Sequence, residues 1–259
     1  MKEKFFPFFS YLSYWLKKED QYSLQSPLLF NLYRDLLKFR LERKKQDLEI
    51  ENYRKHLIRN QELITVLDLG AGSKRVNTPI RKVAKVTKYS TSDRKYAQLL
   101  QYFCARTPAE IVIELGTCVG ITTRYLSQVT NVQLLTFEAS EALIQVAKTD
   151  LHRPNVKFVA GDIGITLPIE LKNVKKVDFA FIDANHTYQG TLNSFNELVS
   201  KINSNSIIAI GDIHWSTEMQ QAWIEIKQRP EVKLSLDFFE IGILLFAYPG
   251  KKKHLVLDF

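Results

Sequence analysis

Acidic residues that follow predicted strands are the strongest chemical signal in this chain. Glu138 ends the run QLLTFE, Asp162 follows VKFVA, Asp183 follows VDFAFI and Asp212 ends SIIAIGD. The carboxyl ends of parallel strands meet at one edge of an open α/β sheet, and ligands bind at that edge. Carboxylates accept hydrogen bonds from hydroxyl groups and bind cations. The sequence therefore predicts a single cleft lined by these carboxylates.

A glycine-bearing turn precedes this set of acids. The run VIELGTCVG places Gly116 and Gly120 between a predicted strand and a predicted helix. Such a turn lets a ligand approach the backbone and the free N–H groups of the helix, and Glu138 lies about 20 positions further on, where a nucleotide-type site needs an acceptor for ribose hydroxyls. Cys118 replaces the middle glycine of a dinucleotide fingerprint, so pyrophosphate is not the predicted ligand.

Another glycine turn, VLDLGAGSK at 66–74, competes for this role. No second strand follows it, and no acid occurs after it before Asp93. We therefore predict that this turn does not bind a nucleotide. It is expected to pack over the strand ends, where the candidate anion contacts are Ser73, Lys74 and Arg75.

The loop FIDANHTY (181–188) indicates the type of reaction. Asp183 and His186 lie three residues apart between a strand and a helix. A neutral histidine can accept a proton from a hydroxyl group, although a loop histidine can also simply cap or pack a helix. Asp212 is expected beside Asp183 on the next strand, and the pair could bind a divalent cation with His186 or His214 as a further ligand. The alternative is that Asp212 only shapes the pocket.

The elements that position these residues follow the pattern of a parallel sheet with crossover helices. From residue 108 onward, short β-rich runs alternate with helical patterns. Only about two residues separate the last two runs, so these should form an antiparallel hairpin. The predicted fold is α/β, with five parallel strands and a C-terminal antiparallel hairpin. The predicted strands are 111–115, 133–138, 156–160, 177–182, 206–212, 231–237 and 240–247.

The glycine turn resembles motif I of the class I S-adenosylmethionine-dependent methyltransferases. Their pattern, acid-x-Gly-x-x-x-Gly, is met by Glu114, Gly116 and Gly120. The seven-strand order with its terminal hairpin also resembles this Rossmann-like family, over residues 108–250. The resemblance implies that S-adenosylmethionine is the cofactor and that the chain is a transferase.

The resemblance also implies a role for each matching position. Glu114 and the Gly116 turn would face the cationic amino-acid end of the cofactor, Glu138 would accept hydrogen bonds from the ribose, and Asp162 with Ile163 would lie near the adenine. Asp183 and His186 would be the catalytic residues beside the methyl group. The full set of implied cofactor-binding residues is Glu114, Gly116, Thr117, Gly120, Glu138, Ala139, Asp162, Ile163 and Asp183.

The Asp-x-x-His spacing is similar to that of metal-dependent sugar O-methyltransferases. Those enzymes and the catechol-type ones bind a divalent ion through an extra oxygen ligand next to the second aspartate. Here Gly211 and Ile213 flank Asp212, so only Asp183 and Asp212 match as metal ligands. Mg²⁺ or another divalent cation is therefore an expectation that rests on an incomplete ligand set.

Residues 1–106 differ from the rest of the chain in charge. They contain 22 Lys and Arg against 11 Asp and Glu, whereas residues 107–259 contain 14 against 17. We predict a mainly helical N-terminal extension over 1–106 and the methyltransferase domain over 107–259. YSLQSPLLFNLY and DLGAGSKR resemble the extension of uncharacterised bacterial members of the family. The aromatic stretch at 5–16 is shorter than the roughly 20 residues of a spanning helix and predicts a packing or interfacial helix.

Composition limits the class of protein. With 45% hydrophobic and 25% charged residues among 259, the chain should fold, and two cysteines cannot form a disulfide framework. We expect a cytoplasmic enzyme that methylates a hydroxyl of a small molecule, a sugar or a phenol, and a homo-oligomer is compatible with this. The alternatives are an RNA methyltransferase whose basic region binds phosphates, and a cofactor-binding scaffold whose chemistry has lapsed.

Overall fold

A central eight-stranded sheet dominates the computed structural model, which describes residues 2–70 and 78–259. The strand order is β5-β4-β3-β6-β7-β9-β8-β10. The strands are β3 (Ile111–Leu115), β4 (Gln133–Glu138), β5 (Val156–Ala160), β6 (Phe179–Ile182), β7 (Ile207–Gly211), β8 (Leu234–Asp237), β9 (Ile241–Leu245) and β10 (Lys253–Val256). Two further short strands, β1 (Leu63–Thr65) and β2 (Ile80–Lys82), form a separate antiparallel pair.

Helices cover both faces of the central sheet. The N-terminal helices are α1 (Lys2–Lys17), α2 (Pro27–Arg43), α3 (Leu48–Arg59), α4 (Val83–Tyr89) and α5 (Arg94–Ala105). The helices that connect or follow the sheet strands are α6 (Ile121–Ser127), α7 (Glu141–Lys148), α8 (Ile163–Leu171), α9 (Tyr188–Val199) and α10 (Thr217–Gln228). Within the described residues, no helix combines the length and apolar character needed to cross a bilayer.

Strand β6 shows why the sheet is buried on both faces. All of its residues are buried, and successive side chains enter different cores. Phe179 and Phe181 pack with α2 and α5, whereas Ala180 and Ile182 pack with α9 and α10. This alternation follows from the two-residue period of a strand, and the wholly apolar run of β6 fits a strand covered on both faces.

The predicted C-terminal hairpin is present and a further strand extends it. Strand β9 pairs antiparallel with both β7 and β8, which gives the terminal arrangement expected for the Rossmann-like methyltransferase sheet. Strand β10 then pairs parallel with β8 at the sheet edge, so the sheet has one strand more than predicted. The run KHLV is short and directly follows two further lysines, which is why its periodicity did not indicate a strand.

The N-terminal region is more interrupted than the sequence pattern indicated. A mainly helical extension was predicted over 1–106, and the chain breaks it between α2 and α3. Asp47 at the break is buried, and its carboxylate accepts hydrogen bonds from Arg94, Gln98 and Tyr125. Because these partners lie on α5 and α6, the buried acid fixes the turn against the central domain.

Side chains of the N-terminal helices share the core of the sheet. Leu36 of α2 is fully buried in the same cluster as Phe103 and Phe238. Tyr14 Oη of α1 donates to the Leu257 carbonyl at 2.6 Å, and Tyr102 Oη donates to the Leu32 carbonyl at 2.7 Å. The division of the chain at residue 106 remains a prediction, and an apolar core spans it.

Candidate active site

A cleft of about 750 Å³ opens at the carboxyl ends of the central parallel strands. This size lies within the range of roughly 300–1,000 Å³ that small-molecule sites occupy. Most of the predicted site residues line it: Gly116, Glu138, Ala139, Asp162, Ile163, Asp183, His186 and Asp212. The structure therefore brings together side chains from four separate strand ends.

Glu138 is held in a fixed orientation at the end of β4. Its Oε2 accepts the Cys118 backbone N–H at 2.9 Å, and its Oε1 accepts the Ser140 backbone N–H at 3.0 Å. A carboxylate oxygen has two acceptor sites, so each oxygen keeps one for a ligand. Burial raises the pKa of Glu138, and the backbone N–H bonds oppose that rise. The carboxylate is thus positioned to accept hydrogen bonds from two hydroxyl groups of a ligand.

The glycine turn lies between Glu138 and Asp183. Leu115 pairs with Phe137 on one side and with Ile182 on the other. Gly116 adopts a φ of +101°, and a Cβ there would lie 2.4 Å from the Asp183 carbonyl oxygen. Only glycine accommodates both the positive φ and this close approach.

Three predicted cofactor residues lie outside the cleft lining. Glu114 is fully buried and accepts hydrogen bonds from Thr123 Oγ1 at 2.6 Å and Thr136 Oγ1 at 2.7 Å. Thr117 Oγ1 lies 2.6 Å from Thr136 Oγ1, and Gly120 has a φ of +77° and lies against Ala147. These residues shape the turn from beneath, and direct contact with a cofactor stays a prediction for them.

Asp183, His186 and Asp212 form a cluster on the other side of the turn. One potential ligand atom from each lies within 4.8 Å of the others. His186 Nδ1 lies 3.8 Å from Asp212 Oδ2, and within the described residues it is buried without a hydrogen-bond partner. Burial and the neighbouring Asp212 raise the pKa of Asp183 to about 7, while His186 opposes the rise. Two carboxylates and an unpaired imidazole nitrogen can hold a cation or a hydroxyl group.

The loop that carries His186 is tightly constrained. Asn185 and His186 have φ values of +65° and +44°, and Asp212 has a φ of +55°. Such left-handed conformations are uncommon for residues other than glycine and cluster at functional sites. A Cβ at Gly211 would lie 2.0 Å from Asp183 Oδ1, so glycine leaves room for this carboxylate.

Comparison with known families identifies the central domain. Residues 113–213 match the family model of a methyltransferase domain. Over these residues the chain has the fold of a class I methyltransferase domain. Its sheet order agrees, because β5-β4-β3-β6-β7 with the antiparallel β9 next to β7 is the Rossmann-like methyltransferase arrangement. No curated protein matches the chain significantly.

Solved structures of methyltransferases share this fold at low sequence identity. An O-methyltransferase from Bacillus cereus in complex with SAH is 17% identical, with a TM-score of 0.50 over 60% of this chain and 82% of that one. TomG from Streptomyces achromogenes, an O-methyltransferase involved in tomaymycin synthesis and solved with SAM, is 13% identical, with a TM-score of 0.52 over 62% and 83%. The SAH-bound methyltransferase PaMTH1 from Podospora anserina is 14% identical, with a TM-score of 0.52 over 79% and 97%. At these identities the likeness shows the fold alone.

The first glycine turn lies at one wall of the cleft. Residues 66–70 line the cleft, and a Cβ at Gly70 would lie 2.6 Å from the Asn185 Cα. Arg81 Nη2 and Asp68 Oδ2 form an ion pair at 3.1 Å at the same wall. The predicted anion contacts at Ser73, Lys74 and Arg75 lie outside the described residues.

Other side chains near the cleft divide between its lining and the core. His214 Nε2 lies 2.8 Å from Asp237 Oδ2, which directs it away from the Asp183 cluster. Trp215 lines the cleft with its ring centroid 5.8 Å from that of His186. Trp223 is buried against Gly242 and packs in the core. Burial raises the pKa of Cys118 in the Gly116 turn, so its thiol stays neutral there.

Sequence reasoning missed the part of the cleft formed by the β8–β9 turn. Phe239 and Glu240 line the cleft there, and burial with nearby Asp212 and Asp93 raises the pKa of Glu240 to about 7. The strand directions could have indicated that this turn lines the cleft. Strand β9 is antiparallel to both of its neighbours, so β8 runs parallel to β7 and its turn emerges at the ligand-binding edge.

Glu114 gives a testable pH dependence of stability. Burial raises its pKa from 4.5 to about 8, opposed by the two threonine hydrogen bonds. The folded protein therefore keeps a proton that the unfolded chain releases. The contribution of Glu114 to the free energy of unfolding is present below pH 4.5 and is lost as the pH rises to 8. The loss is on the order of 4 kcal/mol.

The Glu114→Gln variant is expected to abolish this dependence, because an amide cannot ionise. Urea unfolding at the two ends of this pH range measures the change in free energy of unfolding. The exposed Glu49→Gln on α3 is the matched control and should behave as the unsubstituted protein. If the free energy of unfolding of Glu114→Gln changed with pH as it does in the unsubstituted protein, Glu114 would already be ionised in the folded state.

Proposed function

We propose that this protein transfers the methyl group of S-adenosylmethionine to an oxygen atom of a small hydroxylated molecule. The observation that supports this most is the pairing of Glu138, oriented by two backbone N–H groups, with the Asp183–His186–Asp212 cluster across a single glycine turn. In a class I methyltransferase domain, the oriented carboxylate of Glu138 fits the cofactor ribose. The Asp183–His186–Asp212 cluster fits the hydroxyl group that accepts the methyl group.

The cofactor would lie along the strand ends in a defined direction. Glu138 would accept both ribose hydroxyls on its free acceptor sites, and the Gly116 turn would leave room for the sulfonium side of the molecule. Asp162 accepts the Gly164 N–H at 2.8 Å as the N-cap of α8, and its position in the cleft lining beside Ile163 would place both near the adenine. The methyl group would then point toward Asp183.

The acceptor hydroxyl would bind at the Asp183–His186–Asp212 cluster. Its oxygen attacks the methyl carbon as the carbon–sulfur bond breaks, which leaves S-adenosylhomocysteine. The hydroxyl proton must leave, and the imidazole of His186, which lines the cleft within this cluster, would accept it. Asp212, 3.8 Å from Nδ1, would stabilise the imidazolium that forms.

The same cluster has a donor set that fits a divalent cation. The fit rests on two carboxylates and the buried, unpaired Nδ1 of His186 within 4.8 Å of one another. Mixed oxygen and nitrogen donors suit ions such as Mn²⁺ as well as Mg²⁺. When bound, the ion would lower the pKa of the acceptor hydroxyl, and Asp183, Asp212 and His186 would hold it.

Titration calorimetry with cofactor-stripped protein tests the proposal at its first step. We expect saturable one-to-one binding of S-adenosylhomocysteine, followed by transfer of a labelled methyl group from S-adenosylmethionine to one or more members of a panel of phenols and sugars. Absence of binding would overturn the proposal. Binding without transfer to any hydroxyl compound would favour the scaffold alternative, and label found in RNA would favour the alternative in which the basic region binds phosphates.

A further inference from the structure

The proposed function leaves the described part of the first glycine turn, residues 66–70, without a role. This stretch, which we call the wall segment, continues from strand β1, and all of it lines the cleft. The Val66 N–H donates to the Pro79 carbonyl at 2.8 Å, and the Val66 side chain is buried in the same apolar cluster as Ile121. The start of the wall segment is therefore fixed to the helix that follows the Gly116 turn.

An ion pair fixes the other end of the wall segment. Arg81 on β2 is only 9% exposed, and its Nη2 lies 3.1 Å from Asp68 Oδ2. Its Nε also donates to the Thr78 carbonyl at 2.8 Å. Asp68 Oδ1 in turn accepts the Gly70 backbone N–H at 3.3 Å. Because an unpaired buried charge is costly, Arg81 keeps its contact with Asp68, and Asp68 holds the backbone of Gly70.

Gly70 lies directly against the loop that carries His186. A Cβ at Gly70 would lie 2.6 Å from the Asn185 Cα and 2.8 Å from the Asn185 carbonyl oxygen. Gly190 of α9 approaches the same residue, because a Cβ there would lie 2.8 Å from the Asn185 Cβ. Asn185 and His186 have φ values of +65° and +44°, and such conformations persist only where the surrounding structure holds them. The backbone of Gly70 is part of that surrounding structure.

We propose that the wall segment positions His186 for proton transfer. Gly70 supports the left-handed bend at Asn185 and His186, and Arg81 acts through Asp68 to keep Gly70 in place. The inference rests on the proposed function, in which the imidazole of His186 accepts the proton of the acceptor hydroxyl. A misplacement of about 1 Å can lower the rate of a reaction on the order of a hundredfold, so a small shift of this loop should slow methyl transfer.

Kinetic constants separate this role from two others. If the wall segment bound the cofactor, altering it would weaken the binding of S-adenosylhomocysteine. If it only stabilised the fold, altering it would lower the free energy of unfolding and leave the folded enzyme fully active. A segment that positions His186 instead changes kcat and leaves the affinity for S-adenosylhomocysteine intact.

The Gly70→Ala variant tests the contact directly, because the added methyl group would meet the backbone of Asn185. We expect kcat for methyl transfer to the best acceptor of the panel to fall on the order of ten- to a hundredfold. The dissociation constant of S-adenosylhomocysteine should change by less than about twofold. The matched control is Gly250→Ala, where the added Cβ would lie 2.7 Å from Tyr248 Cε1 and outside the cleft lining. This control should keep the kcat of the unsubstituted protein.

Arg81 is tested by a graded series of variants. Arg81→Met removes the ion pair and should lower kcat on the order of tenfold or more, whereas Arg81→Lys keeps a cation for Asp68 and should recover part of the loss. Lys82→Met is the matched control, because Lys82 is exposed on the strand where Arg81 is buried, and kcat should not change. Circular dichroism checks the folding of each variant. If Gly70→Ala does not fold, the Arg81 series decides the question.

NMR of the histidine rings reports the position of His186 without any methyl transfer. The His186 ring centroid lies 5.8 Å from that of Trp215, so its proton resonances depend on the conformation of the loop. These resonances should shift in Gly70→Ala and in Arg81→Met. Those of His214, which is held by a carboxylate of β8, should stay in place. The spectrum of His186→Ala assigns the signals.

The proposal is overturned if the His186 resonances are unchanged in both variants, or if they shift while kcat stays the same. It is also overturned if the affinity for S-adenosylhomocysteine falls as much as kcat does. If the unsubstituted protein transfers no methyl group to any acceptor, the proposed function fails. The His186 resonances then decide by themselves whether the wall segment positions the loop.

Discussion

Replacing Glu138 with alanine is expected to weaken binding of S-adenosylmethionine on the order of a thousandfold. A hydrogen bond to a charged group contributes about 1.5–3 kcal/mol, and the proposed site makes two to the ribose. The variant also leaves the backbone N–H groups of Cys118 and Ser140 without their carboxylate partner. Titration calorimetry with S-adenosylmethionine and S-adenosylhomocysteine measures the loss.

A 2′-deoxy analogue of S-adenosylhomocysteine separates a ribose contact from a general disturbance of the turn. The unsubstituted protein should bind the analogue less tightly than S-adenosylhomocysteine, whereas Glu138→Ala should bind the two ligands alike, because the partner of the missing hydroxyl is gone. Glu141→Ala, an exposed acid at the start of α7, is the matched control and should keep full affinity and full discrimination. A Glu138→Ala variant that still discriminates would assign the ribose to another residue.

The strand-end acids were predictable because their placement depends on topology more than on local detail. Once β3, β4 and β6 are parallel neighbours, Leu115, Phe137 and Ile182 share a register, and whatever follows them must share an edge. The sequence thus located Glu138 and Asp183 on either side of the Gly116 turn, without any knowledge of their side-chain contacts.

Burial and loop conformation were not predictable in the same way. Motif spacing says that Glu114 precedes the turn, but only packing shows that Thr123 and Thr136 enclose its carboxyl group. The left-handed backbone at Asn185 and His186 lies in close contact with Gly70, which belongs to a distant segment. Such contacts arise from the whole fold, and a local window of sequence does not contain them.

The His186→Ala variant is expected to lose on the order of a hundredfold to ten-thousandfold in methyl transfer while binding S-adenosylhomocysteine normally. The imidazole lies in the cleft beside Asp212, in the cluster that also contains Asp183. A loss confined to turnover would therefore mean that His186 acts on the acceptor, with no part in holding the cofactor. Labelled methyl transfer to the best acceptor of the panel measures the rate, and calorimetry measures the affinity.

The neighbouring His214 provides the matched control, because it also lines the cleft but its Nε2 is engaged with Asp237. His214→Ala should retain most of the turnover, and a loss equal to that of His186→Ala would remove the case for a specific base.

A chelator then separates the two possible roles of His186, general base and metal ligand. If treated protein keeps its activity, the imidazole acts as the base. If activity disappears and Mn²⁺ restores it in the unsubstituted protein but not in His186→Ala, the imidazole is a metal ligand. The metal content measured by mass spectrometry should then fall in both His186→Ala and Asp212→Asn.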